Sequence, residues 1–122
     1  MEEKCKFSYS DFDDSLIISC RDESYQYSEN NMEEVGENFS FDDIVLNITK
    51  NGKIQGIIIN NASQLIEESG IDSSILKNLD SIMLITIQKQ NSLLIAVKFI
   101  LKDMKEQKIS LGRILMPQLK TN

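Results

Sequence analysis

Histidine and tryptophan are absent from this 122-residue chain, proline occurs once and cysteine twice. The missing histidine excludes the most. It is the usual general base near neutral pH and the commonest metal-binding side chain. Without it no Ser-His-Asp or Cys-His arrangement can form, and no zinc site that uses imidazole. Cys5 and Cys20 cannot complete a four-thiolate zinc site, and two cysteines are too few for a disulfide scaffold. They fall in adjacent predicted strands, where a bridge is geometrically accessible. They read first as two buried or half-buried thiols in a reducing compartment. Long apolar runs are missing too. Ile82–Ile87 and Leu93–Val97 are the longest, far short of the roughly 20 residues of a membrane helix. The opening MEEKCKFSYS is charged and lacks the apolar centre of a signal peptide. The expectation is a cytoplasmic protein with no membrane contact, and no cofactor is implied.

What is present fits one globular domain, residues 1–122, long enough to bury a core without staples. The net charge is −6, unevenly spread. Residues 1–43 hold 13 acids and 3 bases, whereas residues 88–122 hold 7 bases and 2 acids. Such a split allows a basic surface for an anionic partner. The plainer reading is an acidic and a basic face that attract each other within the fold or across a dimer.

Period-2 alternation dominates the chain. Cys5, Phe7 and Tyr9 alternate with polar residues, the pattern of a half-buried strand. The turn-rich Ser10–Ser15 leads to a second strand, Leu16–Cys20. Residues 21–41 are polar and acidic and read as a loop or an edge strand. Ile44–Thr49 and Ile54–Ile59 form the clearest hairpin, because Asn51-Gly52 between them suits a turn with two positive φ angles. Gly56 is expected to allow close approach of a neighbour to its strand. Asn60–Ser69 reads as a short helix, capped by Asn61 or Ser63 and ended by Gly70; Asp72–Leu79 adds a helical turn or two capped by Asp72. Strands follow at Ser81–Gln88, Ser92–Leu101 and Ile109–Met116, before Pro117. Leu93–Val97 reads as central and covered on both faces. The hairpins starting at Asp42 and Asp80 resemble each other at an offset of 38 residues, so residues 70–122 read as a degenerate repeat of the first half or as further hairpin structure.

The remaining chemistry is carboxylate or lysine. Asp11, Asp13 and Asp14 are the densest acidic group. Alternating carboxylates can hold Ca²⁺ or Mg²⁺, but the glycine and distal glutamate of an EF-hand are missing. A hairpin turn whose aspartates bond their own backbone is the simpler account. Asp42 and Asp43 read as neighbours within a strand, which would aim them at opposite faces. Lys98, Lys102, Lys105, Lys108 and Arg113 form the basic set through which a nucleic acid would be contacted. Only Phe99 lies near them as a stacking ring, and a solvated turn is the simpler account of Lys102, Lys105 and Lys108. No glycine-rich phosphate loop precedes a helix.

Tyr9-Ser10-Asp11-Phe12-Asp13-Asp14-Ser15-Leu16-Ile17-Ile18, with Asn51-Gly52-Lys53-Ile54-Gln55-Gly56-Ile57-Ile58-Ile59-Asn60-Asn61-Ala62-Ser63, resembles a small bacterial and archaeal family. Its members carry Y-D-x-x-x-D-x-L-Y-I, an acidic insert, then D-x-x-G-x-[VI]-x-G-I-E-I-L-N-A-S. The resemblance spans roughly residues 7–68. The family is a short domain of unknown function, so the resemblance implies a hairpin-rich sheet closed by a helix and no activity. Ser10 stands where the pattern has Asp, and Ile58 where it has Glu.

Together these readings predict an α+β domain: an antiparallel sheet of six or seven strands with one or two short helices on one face. A long Ile-rich sheet needs its second face covered, and dimerisation is the simplest cover. The expected function is a non-catalytic protein-interaction or regulatory module that associates with itself or with another protein. The alternatives are a nucleic-acid-associated protein using the basic set, and an enzyme or ligand-binding protein using Asp11–Asp14 with a divalent metal.

Overall fold

The computed structural model describes residues 1–20, 37–49 and 53–115. Its strands are β1 (Glu2–Ser10), β2 (Ser15–Ser19), β3 (Glu37–Phe41), β4 (Ile44–Ile48), β5 (Ile54–Ile59), β6 (Leu79–Lys89), β7 (Ser92–Leu101) and β8 (Glu106–Leu115). One helix, α1 (Ala62–Glu68), and a 3₁₀ turn (Ser73–Lys77) lie between β5 and β6. All strand pairings are antiparallel, in the order β3-β4-β5-β2-β1-β6-β7-β8. The six or seven strands expected become eight. The additional one is β3, whose Glu-Asn-Phe-Ser-Phe carries its apolar signal on only two residues, Phe39 and Phe41.

The sheet curls into a half-barrel, and this removes the need for a second layer. Its concave face holds the core, including Leu16, Ile18, Leu46, Ile57, Ile82, Val97 and Phe99, each 1 % exposed or less. Each such side chain contributes about 1.5–3 kcal/mol by leaving water. One end of the curl is plugged by Ala62 and Ile66 of α1 and by Ile75 and Leu76 of the 3₁₀ turn. Dimerisation is therefore not required to cover the core face. On β7, Leu93, Ile95 and Val97 point into the core, while on the opposite side Ala96 is buried and Leu94 half-buried.

Three bulges bend the sheet. Register slips by one residue at Gln55 on β5, Asp80 on β6 and Leu111–Gly112 on β8. Bulges of this kind increase local twist and let a sheet curl. On β8 the buried positions run Ile109, Leu111 and then Ile114. The spacing changes from two to three at the slip, which keeps all three side chains in the core.

The turns follow short polar residues that tolerate positive φ. Asp42 (φ 51°) and Asp43 form the two-residue loop of the β3–β4 hairpin, since Phe41 pairs with Ile44. These two aspartates are thus turn residues, not strand neighbours on opposite faces. Asn51 and Gly52 lie outside the described residues. The helix ends as the sequence predicts: Gly70 has φ 81°, its N–H donates to Glu67 O, and Ile71 N–H donates to Ile66 O, a Schellman closure. Asp72 caps the 3₁₀ turn by accepting from Ser74 N–H at 2.9 Å.

Candidate functional site

The aspartates of the first hairpin do not converge. Asp11 forms an exposed ion pair with Lys77 at 3.6 Å. Asp14, at φ 54°, turns toward the start of α1. Its carboxylate accepts from Tyr9 Oη at 2.6 Å, from Ser63 Oγ at 2.6 Å, and from Ser63 N–H at 3.1 and 3.2 Å. Its backbone carbonyl also accepts from Ala62 N–H at 2.9 Å. Among the described residues, no group of three or more His, Cys, Asp or Glu side chains could hold a metal ion.

Asp14 therefore supplies the helix cap expected from Asn61 or Ser63. Asn61 adopts a left-handed conformation and makes no side-chain cap, and the Ser63 hydroxyl donates to Asp14 instead. Orphan N–H groups at a helix start need an acceptor. Here it comes from a turn 49 residues earlier. Local spacing cannot reveal such a partner. Tyr9, Asp14 and Ser63 do, however, occupy fixed positions in the family pattern quoted above.

The electrostatics of this cluster suit a clasp. Partial burial works to raise the Asp14 pKa, but the hydrogen bonds from the Ser63 hydroxyl, Tyr9 and the Ser63 N–H outweigh it and hold the carboxyl below its ordinary value. Tyr9 is pushed up to about 12, chiefly because its hydroxyl is bonded to Asp14, with burial adding to this. A carboxylate stabilised in its charged form is a poor base for activating Ser63. The arrangement ties β1, β2 and α1 together.

The five basic residues all lie on the β7–β8 hairpin, and Lys98, Lys108 and Arg113 share one of its faces. Lys98 lies between Glu2 and Glu106, 3.2 Å from each, and their hydrogen bonds, Glu106 first, raise its pKa. The acidic N-terminal region and the basic C-terminal region meet at this point. Lys108 is the cross-strand neighbour of Lys98, and Arg113 pairs with Leu94 further along the same sheet face. Lys102 and Lys105 lie in the β7–β8 turn, where Lys105 approaches Asp103 at 3.9 Å.

Two of the recesses on the described surface lie at the mouth and on the convex face of the sheet. One lies at the end of the curl away from α1, about 510 Å³ in volume, with Ile54, Leu84 and Leu93 as walls and Glu3 and Lys53 among its polar lining. Its lining contains a single carboxylate, Glu3. The other is a shallow groove of about 370 Å³ on the convex face, next to Ile17, Val45 and Ile58 and floored by Gly56. A Cβ added at Gly56 would meet the Ile18 carbonyl at 3.6 Å, an ordinary contact, so close approach is not what requires glycine there. Sequence reasoning missed this groove, because it expected the second face of the sheet to be covered throughout.

Among the described residues, the outward positions of β3, β4, β5 and β2 carry no charged side chain. Ile17 pairs with Ile58, Ile58 with Val45, Gly56 with Ser19 and Asn47, and Asn47 with Asn38. The Asn47 amide donates to Asn38 Oδ1 at 2.9 Å. Ile17 and Ile58 are 49 % and 39 % exposed.

No curated protein and no solved structure matches the chain. Among the described residues, no helix is long and apolar enough to cross a membrane. The residues that build the clasp and those that line the groove fall largely within one stretch, and the comparison with family models covers that stretch: residues 6–63 match the family described as protein of unknown function (DUF2283).

Proposed function

We propose that the protein is a non-catalytic interaction module that self-associates through the convex face of β3, β4, β5 and β2. The observation that carries this reading is the outward Ile17–Ile58 pair beside Val45. Apolar side chains grouped on a solvent face mark contact surfaces more often than isolated ones do. The occupant best suited to this face is a second copy. The whole chain carries −6, so two copies repel in general, and a face without charged side chains is where repulsion is smallest. Asn38, Asn47 and Ser19 along its rows can bond across a two-fold axis in which each patch meets itself.

The rival readings receive less support. A nucleic-acid surface would need free cations, and Lys98 is held by two carboxylates. A carboxylate metal site would need Asp11 and Asp14 to converge, and they are engaged elsewhere.

The test is sedimentation over a concentration series, with wild type beside Ile58→Glu. That variant places on the patch the residue type of the family pattern. Wild type should dimerise, and the variant should weaken dimerisation at least tenfold, about 1.4 kcal/mol. Wild type remaining monomeric throughout, or the variant dimerising equally well, rejects the reading.

A further inference from the structure

We propose that Cys5 and Cys20 are a peroxide-responsive modification site, closing reversibly into a disulfide between β1 and β2. The strand register carries this assignment. The two strands pair Lys6 with Ser19 and continue in step to Ser10 with Ser15. Extended one step beyond its last pair, the same register would set Cys5 against Cys20. Both side chains face the core, at 5 % and 2 % exposure.

The pair has the geometry a bridge needs. Cys20 N–H donates to Gln55 O beside β5 at 3.0 Å. The N–H and C=O of one strand residue point to the same side, so Cys20 is hydrogen-bonded away from β1. It meets Cys5 in the non-hydrogen-bonded kind of pair, where opposite Cα atoms come to about 4.5 Å. That separation lies within the window of about 4.4–6.8 Å for a disulfide.

A recess runs beside the site. Its lining includes Glu3 and Leu84, and the Cys5 thiol donates to Glu3 O at 3.6 Å. Cys5, the thiol next to that lining, is the first nucleophile. The neighbouring Cys20 lowers the Cys5 pKa, and Cys5 and burial raise that of Cys20. Its thiolate attacks one peroxide oxygen: the S–O bond forms, the O–O bond breaks, and hydroxide leaves and is protonated to water. The Cys20 sulfur then attacks Cys5; the S–S bond forms, the S–O bond breaks, and a second water departs. The pair loses two electrons to the peroxide, and a dithiol reductant restores both thiols by exchange.

The bridge would act at a seam. At Cys5 and Lys6, β1 passes from pairing with β6 to pairing with β2. A covalent link there pins the two halves of the curled sheet to each other.

The experiment exposes the purified full chain to hydrogen peroxide at neutral pH. Intact mass and a non-reducing peptide map follow, before and after dithiothreitol. The expected result is a loss of about two mass units per chain, a linked Cys5–Cys20 peptide, and recovery of both thiols on reduction. Sulfinic or sulfonic adducts on single cysteines, links between chains, or thiols that react only in denaturant would each overturn the assignment.

Discussion

The ring of Phe41 on β3 lies over Gly112 on β8, 3.4 Å from where a Cβ on that glycine would stand. These strands are the two ends of the sheet order, so this contact joins the edges of the curl. Gly112 also has φ 148°, a conformation L side chains rarely adopt. Gly112→Ala should therefore cost about 1–3 kcal/mol, from backbone strain and displacement of the ring. Urea unfolding checks it; a cost below about 0.5 kcal/mol would mean that the edges are not held together there.

Asp14 links a strand turn to a helix, and its removal should be felt as a lost cap plus orphaned donors. Asp14→Ala should destabilise by about 1–3 kcal/mol. Asp14→Asn should cost less, because it keeps one acceptor oxygen.

The same residue gives an acid dependence of known sign. Its folded pKa lies below its unfolded value. The stabilisation is then fully present above the unfolded value, about 3.9, and is lost as pH falls through the folded one. Wild-type stability should decline below about pH 4 more steeply than that of Asp14→Asn. Parallel acid profiles for the two proteins would contradict this.

Tyr9 gives the opposite limb. Its pKa is raised to about 12, so its contribution is whole below the unfolded value of about 10 and vanishes as pH rises through the folded one. Absorbance at alkaline pH should show the Tyr9 phenol ionising late. Tyr9→Phe should remove that step and lower stability by about 0.5–1.5 kcal/mol near neutral pH.

Ile57 and Ile58 are adjacent, yet the first is 0 % and the second 39 % exposed. Ile57→Ala should cost about 2–5 kcal/mol through a core cavity, and Ile58→Ala under about 1 kcal/mol in the monomer. A larger cost for Ile58→Ala than for Ile57→Ala would signal a one-residue slip of β5, which exchanges its faces.

Much of the sheet was legible because its signals are local. Alternation set the faces of β1, the pairing of β4 with β5 followed from the hairpin pattern, Gly70 ended the helix, and Asp72 capped the 3₁₀ turn. The sequence reading erred where a signal was short or shared. β3 had two aromatic residues to announce it. The Asp42-Asp43 turn was read as strand, because its positive φ is set by the hairpin register more than by the residue types. The Asp14 clasp was legible only as a family pattern without a physical meaning.

By itself, the sequence determined the periodicity of β1, the end of the helix at Gly70 and the lack of imidazole chemistry, since each depends on composition or on residues a few places apart. Tertiary structure decided which distant groups meet: Asp14 with Ser63, Lys98 with Glu2, Cys5 with Cys20 and Phe41 with Gly112. Those meetings depend on strand order and on three bulges that curl the sheet. Many pairings satisfy the same alternation, and only the packing of the whole interior selects among them.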